Sequence, residues 1–374
     1  MNSRTADTYD VIIVGAGVIG LACAWRAAER GLSVAVVERD SPGSGASGVA
    51  PGMLAPVGEA TWGEERTLEL ALASHALWPG FAAELADATG RDVGYLQLGA
   101  LHVALDRDEG GELRRRFELM REHGLDAAWL APSACRELEP GLRTGGVGGV
   151  HAPHESAVDP RPLTDALAVA ATAAGASIET GEVVDAVRSG AGIAGVRTAA
   201  GLELRAPVVL LAAGAWSAAD WLPAEARPRV RPVKGQILTL AGPAGDPVCE
   251  RIVVTERVYM VPRSDGRLVV GATVEDRGFD LRVTAGGVHE LLREAYRALP
   301  EVAELELMEA VAGLRPTTPD NLPLIGAGAI HGLLLATGHF RNGILLAPLT
   351  AERITDRLAG EVGATASISG TVSR

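Results

Sequence analysis

The chain is poor in cysteine, in long apolar runs and in positive charge, and each shortage excludes something. Its three cysteines, Cys23, Cys135 and Cys249, lie far apart among 374 residues. They form no C-x-x-C pair and no metal-ligand spacing, so neither a disulfide framework nor a metal site is expected. Sparse, unpaired cysteine suits a reducing compartment, and a cytoplasmic protein is expected. No apolar run reaches the ~18 residues of a membrane span, and no basic amphipathic helix offers membrane docking. The run from Val11 to Trp25 follows Asp7 and Asp10 rather than basic residues and contains Gly15, Gly17 and Gly20. That suits a turn better than an export signal. With 34 Lys and Arg against 47 Asp and Glu, the net charge is −13. Such a surface repels phosphate backbones and anionic lipid heads, so neither nucleic acid nor membrane is an expected partner.

What is present reads as an ordinary globular chain, with 47% hydrophobic and 22% charged residues. Its length suggests roughly two domains or one composite unit, large enough to fold without disulfides. The first ten residues are polar and expected to fray. Val11–Val14 reads as a fully buried strand, followed by glycines, a helix to about Arg30, a stop at Gly31 and a second strand ending at Glu38. A Gly/Ser/Ala-rich loop spans 41–56. Residues 63–89 read as a helix that Pro79 should kink or split. Tyr95–Leu105 is strand-like with a turn at Gly99, and Glu112–His123 is helical. Asp159-Pro160 opens another helix, to about Ala174. Strands follow at 177–187, 193–204 and 208–212. Residues 231–270 read as strands and turns, 287–298 as a helix, 333–336 as a strand and 342–359 as a helix with a tail beyond. No internal repeat is found.

Parallel-sheet units therefore sit at both ends and near the middle, with antiparallel-looking strands between. The expected class is α/β with α+β, a Rossmann-like nucleotide-binding domain (1–90, 150–225 and 310–374) interrupted by a sheet-rich substrate domain (91–149 and 226–309). Gly15-x-Gly17-x-x-Gly20 lies between a strand and a helix. The first glycine permits the turn, the second lets backbone approach a pyrophosphate, and the third lets helix pack on strand. The helix N-terminus offers N–H groups to that pyrophosphate. Glu38, at the end of the next strand, is placed for a ribose diol and disfavours a 2′-phosphate. The motif alone leaves FAD and NAD both open.

Four further segments carry a resemblance. Gly338-His-Phe-Arg-Asn-Gly-Ile-Leu-Leu-Ala-Pro348 closely resembles the C-terminal signature of glycine oxidases, the thiamine-pathway branch of the D-amino-acid oxidase family. Ser47-Gly-Val-Ala-Pro-Gly-Met-Leu54 resembles that family's flavin-cradling loop. Val258-Tyr-Met-Val-Pro-Arg263 and Gly271-Ala-Thr273 resemble its substrate-domain strands, and Gly313-Leu-Arg-Pro-Thr-Thr-Pro-Asp320 its carboxylate-binding turn. The resemblance implies FAD, and the helix after Leu333–Ala336 would then aim its N-terminus at the flavin pyrimidine, where reduction gathers negative charge. Gly343, Ile344 and Leu345 are its candidate N–H donors. Flavin contact is also implied for Val18, Ile19, Arg39, Ala46, Ser47, Gly52, Met53, Leu54, Val184, Gly214, His339, Phe340 and Asn342. No cysteine lies in Arg315-Pro-Thr-Thr318, so the FAD is expected to be non-covalent.

Arg315 and Arg341 sit in Gly- or Pro-bounded turns beside apolar runs, where a guanidinium needs a partner. The resemblance assigns Arg315 to a substrate carboxylate, with Arg341 nearby and the Tyr259 hydroxyl in the cavity. A salt bridge from Arg315 to Asp320 is the structural alternative. The implied reaction is oxidation of glycine, sarcosine or small D-amino acids. Hydride passes from the α-carbon to flavin N5, giving an imine, and O2 gives H2O2. No His, Asp or Glu stands out as a base, and none is required if the amine binds neutral. Arg257 and Val274 depart from the family pattern and put the substrate range in question. A homo-oligomer, a tetramer, is implied by the resemblance alone. The competing readings are a D-amino-acid dehydrogenase, another amine oxidase of this fold, or a non-catalytic flavoprotein.

Overall fold

The computed structural model describes residues 7–243 and 247–369. Its first organising layer is a six-stranded sheet, in the order Ser177–Thr180, Val34–Glu38, Val11–Val14, Val208–Leu211, Leu333–Thr337 and Leu324–Ala327. All neighbours are parallel except the last pair. Covering both faces of a parallel sheet demands apolar residues of both parities, and these strands have them. Val11, Ile13, Val34, Val36, Val208 and Leu210 bury against the helices Val18–Glu29, Pro160–Ala173 and Ala347–Ser369. Ile12, Val14, Ala35, Val37, Val209 and Leu211 bury on the opposite face, under a four-stranded sheet that includes Val183–Ser189 and Gly192–Thr198.

The second layer is an eight-stranded sheet. Its order is Glu306–Thr317, Arg231–Ala241, Arg267–Gly271, Tyr259–Pro262, Ile252–Val254, Ala100–Ala104, Gly148–Ala152 and Ala128–Leu130. Only the junction of Ile252–Val254 with Ala100–Ala104 is parallel. One face packs Leu238, Leu240, Met260 and Val270 against the helix Ala285–Ala298. The other groups Ile237, Val261 and Val269 with Tyr259 and Val311.

Several elements differ from their sequence expectation. Asp7–Thr8, expected to fray, pairs in parallel with Leu204–Arg205; residues 1–6 lie outside the described residues. Of the two outcomes expected at Pro79, the split does not occur, and the helix runs unbroken over Glu65–Thr89. Tertiary bonds hold the turn before it, since the Ser74 hydroxyl and the Trp78 indole N–H both donate to the Leu345 carbonyl, at 2.7 and 2.9 Å. The strand expected at 177–187 is two, Ser177–Thr180 and Val183–Ser189, in different sheets. Gly313–Thr317 is not a turn but the end of the strand Glu306–Thr317, paired with Arg231–Ala241. That strand grades from exposed at Glu306 to buried at Thr317 and lacks the alternation that announces a strand. The last helix begins at Ala347 rather than Asn342 and continues to Ser369 where a tail was expected. The expected cuts at 150 and 310 fall inside strands of the larger sheet.

Candidate active site

The two layers meet around one cavity that runs from the glycine turn after Val14 to the strand carrying Arg315. At the first end, Gly15 adopts φ +108°, and a Cβ there would stand 2.5 Å from the Ala212 carbonyl oxygen. Only glycine fits that turn. Gly17, Val18 and Ile19 line the cavity, and the Ser47 hydroxyl, also lining it, accepts the Val18 N–H at 3.0 Å. Glu38 lines it too. Its carboxylate accepts the Ala16 N–H at 2.7 Å and the Asp40 N–H at 3.0 Å, which leaves lone pairs for a diol. Arg39 stacks over Trp216 at 4.7 Å, and Trp216 packs on Phe279 at 5.7 Å.

At the other end, Arg315 Nη1 donates to the carbonyls of Thr273 and Lys234, at 3.1 and 3.4 Å. Among the described residues it meets no carboxylate. The alternative partner, Asp320, instead accepts the Leu322 N–H. Tyr259 lines the same space, and burial pushes its phenol up to about 12 against the pull of the Arg315 charge. Arg341 reaches the cavity but is already matched, with Glu59 at 3.3 Å and Glu64 at 4.0 Å. His339 is buried and hydrogen-bonded through Nε2 to Thr350 at 3.0 Å, and burial drives its pKa down to about 3. Phe340 holds a left-handed φ of +47°, a strained conformation for an aromatic residue, while its N–H donates to Pro316 at 2.8 Å.

Among the expected flavin contacts, Ala46, Gly214, Gly343 and Ile344 also line the cavity, and seven others do not. Gly20 is a packing glycine, since a Cβ there would collide with the Gly15 carbonyl. Gly52, Met53 and Leu54 turn away, where Met53 and Leu54 pair with Ala157 and Ser156. The lining part of that loop is instead 43–47 and 49–51. Val184 points to solvent at 48% exposure, and its strand neighbour Val183 takes the wall position. Asn342 closes a turn, its N–H on His339 and its carbonyl on the Leu346 N–H. Leu345 is buried and uses its carbonyl on Ser74 and Trp78. Neither departure from the family pattern lines the cavity: Val274 is 72% exposed, and Arg257 sits in a surface ion cluster. The sequence reading missed Trp216, Gly235, Ile237, Leu281, Glu59 and Glu64. For Gly235 and Ile237, strand alternation was the available signal.

Whether FAD fits can be tested on the polypeptide itself. Among the described residues the N–H groups of Gly343, Ile344 and Leu345 meet no acceptor, and the first two belong to cavity-lining residues. Gly343 is half-buried and Ile344 buried, and unpaired N–H groups in such a place need a partner, which an electron-rich carbonyl edge supplies. The glycine turn, Glu38 and the Gly343 and Ile344 donors share one cavity, which matches the two ends of a dinucleotide.

The family model DAO, FAD dependent oxidoreductase, matches residues 10–357. The chain belongs to that family. It is 38% identical to the glycine oxidase of Geobacillus kaustophilus (strain HTA426), over 93% of this chain and 92% of that protein. The crystal structure of glycine oxidase from Geobacillus kaustophilus superposes with a TM-score of 0.87 at 37% identity, covering 95% of each chain. The bifunctional protein ThiO/ThiG of Trichormus variabilis (strain ATCC 29413 / PCC 7937) is 37% identical over 93% of this chain but 52% of its own length. This member of the DAO family is a glycine-oxidase-like, FAD-dependent oxidase, and no described helix is long and apolar enough to cross a membrane.

Proposed function

We propose that this oxidase acts on glycine and close small amines, sarcosine and small D-amino acids among them. The observation that carries this reading is Arg315, a guanidinium in the flavin cavity that meets two carbonyls and no carboxylate among the described residues. Its remaining N–H groups suit the two oxygens of an amino-acid carboxylate. Anchored there, the substrate presents its α-carbon to the cavity beside Tyr259, and positioning supplies much of the catalysis.

FAD, which Gly15, Glu38 and the Gly343 and Ile344 N–H groups would hold, would supply the two-electron oxidant for the α-C–H bond and the route of those electrons and the accompanying protons to O2, giving H2O2. The substrate is left as an iminium, which water converts to a 2-oxo acid and ammonium. Among the described residues, those lining or bordering the substrate end of the cavity offer no free base for the amine proton. Tyr259 keeps its proton up to about 12, His339 is neutral and engaged with Thr350, and Glu59 is paired with Arg341. The amine therefore binds neutral.

The FAD is non-covalent in this reading, because Cys23, Cys135 and Cys249 are buried in apolar cores and none lines the cavity. The substrate unit is the eight-stranded sheet with its helix, set into the FAD-binding unit. The likeness to ThiO/ThiG supports a role in supplying the imine for the thiazole of thiamine. A homo-oligomer, a tetramer, follows from the family resemblance.

The test is to add glycine anaerobically to the purified yellow protein and then admit air. Loss of flavin absorption with return of colour in air is expected. If glycine, sarcosine and D-alanine all leave the flavin oxidised, the amino-acid reading is rejected.

A further inference from the structure

The chain has a single lysine, Lys234, and its side chain is 1% exposed. It lies in the strand Arg231–Ala241, whose Gly235 and Ile237 line the cavity. Strand alternation turns Lys234 and Gln236 to the opposite face. There the ammonium donates to the Arg282 carbonyl at 2.6 Å and lies 3.5 Å from the Glu275 carboxylate. The backbones of Lys234 and Glu275 also exchange two hydrogen bonds, each 2.9 Å. Glu275 further accepts from the Thr273 hydroxyl at 2.6 Å and the Gln236 amide at 2.7 Å. Gln236 in turn accepts the Thr284 N–H at 2.8 Å.

A buried ammonium is tolerated only when paired and hydrogen-bonded, and removing one partner is far more disruptive than never having the pair. This network has a direct connection to the cavity. The two carbonyls that receive Arg315 Nη1 belong to Thr273 and Lys234, both members of it. The segment it fastens, 273–284, also carries Leu281 on the cavity wall.

We propose that Lys234 and Glu275 are positioning residues for Arg315: their ion pair fixes the two carbonyls that aim the guanidinium at the substrate carboxylate. The inference rests on the reading of Arg315 given above. A misplacement of about 1 Å in such a group is enough to cost on the order of a hundredfold in rate, so a partial loosening is expected to be measurable.

The test uses the FAD-loaded protein and reads the acetate dissociation constant from the flavin absorption band, alongside glycine KM and kcat. Glu275, 22% exposed, tolerates loss of charge better than Lys234, so Glu275→Gln decides and Lys234→Met is the second variant. In both, the acetate constant and the glycine KM are expected to rise about tenfold with kcat within about twofold. Lys234→Arg, which keeps the charge, is expected to recover most of the loss. Arg315→Met is the reference. If it weakens acetate binding while Glu275→Gln and Lys234→Met lower only the melting temperature, the positioning role is overturned and the carboxylate reading stands. If Arg315→Met leaves acetate binding unchanged, both fall.

Discussion

A methyl group on Gly235 would stand 2.5 Å from both terminal nitrogens of Arg315. Gly235 pairs with Gly313 and its neighbour Lys234 with Leu314, so the guanidinium folds back across the adjacent strand into space that only a missing side chain leaves. Gly235→Ala is expected to displace the guanidinium and raise the glycine KM by about tenfold or more, with FAD retained. Steady-state kinetics on the yellow variant, beside its flavin content, checks this.

The Arg39–Trp216–Phe279 stack lies at the Glu38 end of the cavity, far in sequence from the carboxylate site. Removing its central ring costs a cation–π contact worth about 0.5–1 kcal/mol together with aromatic packing. Trp216→Ala is expected to weaken FAD binding by roughly three- to tenfold and to leave kcat of the loaded enzyme near the parent's. Fluorescence titration of the apoprotein with FAD separates the two effects.

With Tyr259 protonated up to about 12 and His339 neutral down to about 3, neither residue titrates near neutrality. The glycine kcat/KM is therefore expected to rise steadily over about pH 6 to 9 as more substrate amine is neutral. Tyr259→Phe should keep that slope. A clear inflection that Tyr259→Phe removes would show that the phenol takes the proton.

Glu155 and His102 are both buried behind the Gly58 turn, where Glu155 accepts the Gly58 N–H at 2.7 Å through one oxygen and the other oxygen meets no partner among the described residues. Burial raises the Glu155 carboxyl from 4.5 to about 8. Its folded pKa is above its unfolded one, so the folded state binds the extra proton and stability declines as pH climbs from 4.5 to about 8. Glu155→Gln removes that titration. Its melting temperature is expected to match the parent's near pH 4.5, to pull ahead as pH rises, and to keep a constant lead above about 8. A lead that shrinks with pH would contradict the assignment.

The Rossmann-like half was legible because its signals are local. A tight turn admits only glycine at Gly15, and a parallel strand buried on both faces must be apolar at every position, as Val11–Val14 and Val208–Leu211 are. Arg315, Tyr259 and Gly343 likewise stood in recognisable segments. What lay beyond reach depended on partners distant in sequence. The strand Glu306–Thr317 has no alternation of its own and exists through its pairing with Arg231–Ala241. That Pro79 leaves its helix unsplit goes with the anchoring of the preceding turn on Leu345. Which of two adjacent valines faces the cavity was a question of strand parity, and the chain chose Val183. The sequence alone therefore determined the turn chemistry, the buried strands and the identity of the charged side chains. Only tertiary structure decided that Arg341 is neutralised by Glu59 while Arg315 meets no carboxylate among the described residues, because the partner of a guanidinium is set by what the fold brings within hydrogen-bonding distance of it.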